Sequence, residues 1–67
     1  MVVSVKKSDA EKLLNHWIEH NEGHSRSFRE WAVQMEEISQ EAAELVIEAA
    51  HLMDRCTEEL KRAKDAI

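Results

Sequence analysis

Apolar and core-compatible residues recur along the first half of the chain at Leu14, Trp17, Asn21, His24, Phe28, Trp31, Met35 and Ile38, in alternating steps of three and four. That spacing returns to one side of an α-helix every two turns and makes a heptad seam. Upstream, Ser8 followed three residues later by Glu11 reads as a capping box, so a first helix is predicted over 8–38, behind a short tail of residues 1–7. The pattern restarts near Ser39 and Gln40. Ser39 is a candidate N-cap, Glu41 and Glu44 stand where the helix dipole favours negative charge, and Lys61, Arg62 and Lys64 fall in the last turns of a helix predicted over 40–66. Its seam runs through Ala42, Leu45, Val46, Ala49, Leu52, Met53, Cys56, Leu60, Ala63 and Ile67.

Two helices of similar length, each roughly 40–45 Å long at 1.5 Å per residue, joined by a short connection, predict an antiparallel hairpin. The small residues Ala42, Ala49, Cys56 and Ala63 mark the edge of the second seam where the first helix is expected to bring Trp17, Phe28 and Trp31 close. Gly23 lies inside the first pattern without breaking its phase, which favours a continuous helix with a bend there. A break at Asn21-Glu22-Gly23, giving three helices in a monomer, is the alternative.

Composition sharpens this all-α reading. The 67 residues contain no Pro and one Gly, with much Ala, Glu, Leu and Lys, and the one run of strand formers, Val2, Val3 and Val5, cannot make a sheet. A single domain of this size has a marginal core, and one cysteine cannot form an internal disulfide. Metal binding, assembly or regular helix packing must compensate, and two hairpins predict a homodimeric four-helix bundle. The net charge of −5 opposes nucleic-acid binding, which needs a basic surface. No stretch approaches the roughly 20 apolar residues of a membrane span, and the N-terminal apolar run is too short for a secretion signal, so a cytoplasmic protein is expected.

Candidate chemistry is concentrated in His16-Trp17-Ile18-Glu19-His20-Asn21-Glu22-Gly23-His24, three histidines four residues apart. Helical spacing places neighbouring members on one face, where two imidazoles can grip one metal ion. His16 and His24, about 12 Å apart along the axis, cannot share one. His20 and His24 are therefore the expected first ligands, with His16 or His51 completing the shell. Nitrogen and thiolate donors suit zinc, nickel, cobalt or iron, and spacing does not choose among them. Folding about Ser39 is expected to bring His24 level with Asp54 and Cys56. Glu48 and His51 have the Glu-x-x-His spacing of di-iron bundles, although Glu48 reads better as part of a solvated face. Cys56 reads as a small apolar residue of the seam. No nucleophile with its base and no phosphate-binding loop is visible, so the protein is not expected to be an enzyme.

The histidine block, followed by Ser27-Phe28-Arg29-Glu30-Trp31-Ala32, resembles a small uncharacterised prokaryotic helical domain with a His-Trp-Ile-Glu-His-Asn-x-x-His signature. The resemblance spans Leu13 to Leu60 and is specific only in its first half. It implies work beside transition-metal-handling proteins and carries over His16, His20, Asn21 and His24.

Three functional readings follow. The first is a small metal-binding or metal-handling accessory protein built on the histidine cluster. The second is a structural or protein-interaction module in which the histidines and Asn21 face the interior and set bundle register. The third is an assembly that core-facing histidines dissociate when protonated.

Overall fold

The computed structural model describes residues 4–67; of the expected N-terminal tail, Met1, Val2 and Val3 lie outside the described residues. The described chain is all-helical: α1 spans Lys7–Met35 and α2 spans Gln40–Ala66, packed as an antiparallel hairpin. The helix through Gly23 is continuous, and the glycine has no positive φ, so the three-helix alternative is set aside.

The helix ends differ from expectation for local reasons. At the start, Lys6 is the extended cap residue and its carbonyl accepts from the Asp9 and Ala10 amides, so Ser8 lies inside the helix and the capping box is not formed. At the other end α1 stops at Met35 rather than residue 38. Reversal of the chain uses Glu36, Glu37 and Ile38, with the Ile38 and Ser39 amides both donating to the Met35 carbonyl at 2.9 Å. Ile38 continues the heptad spacing but is 87% exposed in that turn. Ser39 then adopts extended backbone and its hydroxyl accepts from the Ala42 amide at 3.1 Å, the cap that starts α2.

The contact between the helices is not the large-residue seam. Its buried residues are Ile18, Ser25 and Ala32 on α1 and Ala43, Ala50 and Thr57 on α2, two series with a strict seven-residue repeat. The series run in opposite order, so small side chains meet along the middle of the hairpin and let the backbones approach. Ala50 is completely buried, while no large side chain among the described residues is. The expected close-approach edge, Ala42, Ala49, Cys56 and Ala63, lies one residue before this stripe, on its flank. Thr57 turns its hydroxyl back to the Met53 carbonyl at 2.9 Å, which satisfies the polar group it brings into the stripe.

In an antiparallel pair, residues one position before the stripe fall on the same side of both helices. Residues four after it fall on the opposite side. The side chains follow that division. On one side Asn21 donates to Cys56 Sγ at 3.7 Å. On the other, Arg29 pairs with Asp54 at 2.6 Å and Lys61 with Glu22 at 3.7 Å. The hairpin is thus a single layer with one polar face and one apolar face. The heptad seams of the sequence are the apolar face, half-buried at Leu14, Phe28, Val46 and Met53 and open at Trp17, Trp31, Leu45 and Leu52.

Candidate metal centre

Three histidines spaced by four residues must form a ladder on a continuous helix. His16 and His20 stack with ring centroids 5.9 Å apart, and His20 meets His24 edge-on at 4.4 Å. His24 in turn lies 5.9 Å from the Phe28 ring. All four histidines of the chain are exposed, so His24 does not face the interior of the hairpin as its heptad position predicted. It stands on the apolar face, and His20 stands at that face's rim. The premise of a histidine-gated core, on which the third reading rested, is absent from the single hairpin.

Within the ladder one distance carries chemical meaning: Nε2 of His20 and Nε2 of His24 are 2.9 Å apart. With metal–nitrogen bonds of about 2.0–2.1 Å, two imidazoles on one ion are about 2.9 Å apart at a right angle and about 3.3 Å apart at a tetrahedral one. A small rotation of two exposed rings covers that range. The two Nε2 atoms are within hydrogen-bond distance, and which of them donates depends on the tautomer of each ring. Coordination requires both Nε2 atoms to be unprotonated, with the ring protons on Nδ1.

The other expected ligands are elsewhere. His16 is stacked on the ladder behind His20, on the side away from His24. His51 is on α2, with Nδ1 3.6 Å from Glu48 Oε2 and both side chains largely exposed. Asp54 is engaged by Arg29 and Ser25, and Cys56 by Asn21. Among the described residues no group of three or more His, Cys, Asp or Glu side chains converges to hold an ion. The shell of His20 and His24 completed by His16 or His51 is therefore not assembled within one chain. What one chain brings together is the pair of imidazole nitrogens of His20 and His24.

Sequence reasoning passed over the network on the opposite face. Ser25 donates to Asp54 Oδ1 at 2.5 Å, Arg29 Nη2 donates to Asp54 Oδ2 at 2.6 Å, and Arg29 Nη1 also donates to Ser25. Hydrogen bonds from Arg29 and then Ser25 hold the Asp54 carboxyl below its ordinary range, helped by the charges of Arg29 and His51. The signal available in the sequence was the seven-residue repeat of Ile18, Ser25 and Ala32, one position off the apolar seam, with Arg29 one turn beyond Ser25.

Near the turn Trp31, Gln34, Met35, Glu37 and Ile38 line an open hollow, which extends the apolar face past the end of α1. Among the described residues no helix is long and apolar enough to cross a membrane.

Residues 10–67 match the family model of a Domain of unknown function (DUF8180), and the chain belongs to that family. A relative described as an uncharacterized protein of Archaeoglobus fulgidus (strain ATCC 49558 / DSM 4304 / JCM 9628 / NBRC 100126 / VC-16) is 38% identical over 55 residues, covering 82% of this chain and 89% of the relative. No solved structure matches the chain.

Proposed function

We propose that this member of the family is a non-enzymatic metal-binding accessory protein. His20 and His24 donate the first two ligands to a divalent transition metal, and the apolar face joins the hairpin to a second copy in a four-helix bundle. The observation that carries the reading is the 2.9 Å separation of the two Nε2 atoms on exposed, adjustable rings. Imidazole pairs at this spacing suit zinc, nickel, cobalt and iron, and their identity is left to selectivity measurements. Work in the cytoplasm is part of the reading, since a free exposed thiol such as Cys56 persists reduced there.

Calorimetric titration of apo-protein with zinc, nickel and cobalt, beside His20→Ala/His24→Ala, tests it. The wild type is expected to bind at least one of the ions about 100-fold more tightly than the double variant, in proportion to a lost bidentate site. Equal weak binding by both refutes the metal reading.

A second reading is favoured by the Asn21–Cys56 contact, a polar pair set into the apolar face. There the polar residues fix the register of a purely structural module that docks a second copy or another protein partner. It predicts the same oligomer with and without metal, and a changed oligomer order when Asn21 is replaced by Leu.

A further inference from the structure

The imidazole pair and the apolar face coincide, and their positions along α1 say how a second copy completes both. We propose that two hairpins pack face to face with α1 against α1 about a dyad near His24, so that the His20/His24 pairs of both copies converge into one shared four-imidazole site. This inference rests on the metal reading above.

The need for a second layer comes from the dimensions. The hairpin measures 52 × 23 × 14 Å, one helix layer thick, where stable domains stack two layers around a core. Its surface is 5465 Å². A compact protein of 7.8 kDa exposes about 4,400 Å². The excess of about 1,000 Å² is what one partner of a standard-sized interface covers, about 800 Å². The polar face, with its ion pairs already made, is not a candidate for covering it.

The choice of a second copy, and of α1 against α1, comes from symmetry. Trp17 and Trp31 stand one heptad on either side of His24. A dyad at that level therefore sets Trp17 of each chain against the partner's Trp31, and both exposed indoles are covered at once. The midpoint of α1, Lys7–Met35, is Asn21, less than one turn from His24, so a dyad at His24 keeps residues 13–35 of the two helices overlapped while it brings the imidazole pairs together. An isologous contact of this kind closes on itself and stops at two copies. Each chain brings two nitrogens, and zinc at a structural site takes four ligands.

The test uses the full chain, with zinc and nickel as probes. Sedimentation with calorimetry is expected to give a dimer that binds one ion per two chains. A mixed dimer of one wild-type chain and one His20→Ala/His24→Ala chain, separated by distinct tags, is expected to bind that ion at least about 100-fold more weakly than the wild-type dimer. One ion per chain, or a mixed dimer that retains wild-type affinity, overturns the shared site while leaving the metal reading standing. No binding by wild type removes both.

Discussion

The two faces of the hairpin solve the same problem in opposite ways. On the polar face every charged group that reaches across the helices finds its partner in the same chain: Arg29 with Asp54 and Ser25, Lys61 with Glu22. On the apolar face the groups that matter are left half-finished. Trp31 is 58% exposed and Leu45 63%, and two imidazole nitrogens face each other where an ion would need more ligands. The stripe between the faces, Ile18, Ser25, Ala32, Ala43, Ala50 and Thr57, holds the helices together as a narrow core. The lesson is that a hairpin of this length completes the contacts of one face within the chain and leaves large apolar side chains of the other exposed.

The sharpest way to break the comparison is to charge one face at a time. Leu52→Glu puts a carboxylate into the apolar face of both copies and is expected to weaken dimerisation by at least about 100-fold, since each buried Leu contributes about 1.5–3 kcal/mol. Arg55→Glu, on an exposed residue away from that face, is expected to leave the mass seen by sedimentation unchanged. If both variants dissociate equally, the two faces are not distinct in function.

Next comes the stripe that both faces share. Ala50→Leu inserts three heavy atoms where nothing is exposed and is expected to cost about 2 kcal/mol by overpacking, lowering Tm by roughly 8–16 °C. Chemical denaturation measures it. A neutral result would mean that the helices do not meet at this residue.

Gly23→Ala acts in the other direction. A Cβ there meets only the end of the Arg26 side chain at 3.9 Å, so the substitution is expected to stabilise by about 0.5–1 kcal/mol through lower unfolded-state entropy. Destabilisation would show that the chain bends or breaks at that residue.

The smallest effect belongs to the polar network. Because folding lowers the Asp54 pKa from 3.8, its contribution is fully present above that value and is lost as pH falls through the lower folded value. Acid titration of stability should thus be flatter in this range for Asp54→Asn than for wild type. Identical acid profiles would mean that the Arg29 and Ser25 bonds do not hold in solution.

Much of the architecture was legible in the sequence. The all-helical hairpin follows from unbroken heptads and the restart at Ser39, whose hydroxyl supplies the cap its position promised. The side-by-side contact was not legible, because apolar heptads mark burial in whatever assembly the chain forms and do not say which partner buries them. The large residues were read as the hairpin's own core, whereas Ser25, Ala32, Ala43 and Ala50 form it. Ser8 failed as a cap because Lys6 had already turned the chain into the helix. The histidine ladder could be placed from spacing alone, since i to i+4 neighbours meet on any continuous helix. The pairing of His51 with Glu48 follows from the same helical spacing, whereas where the ladder points depended on a register that only the packed helices define.

Cobalt(II) titration followed by visible absorption tests the central claim most directly, because four nitrogen ligands around cobalt give strong ligand-field bands that hexa-aqua cobalt lacks. The account predicts that those bands rise to saturation at one ion per two chains and vanish in His20→Ala/His24→Ala. A spectrum indistinguishable from cobalt in buffer, at any ratio of ion to protein, would contradict it.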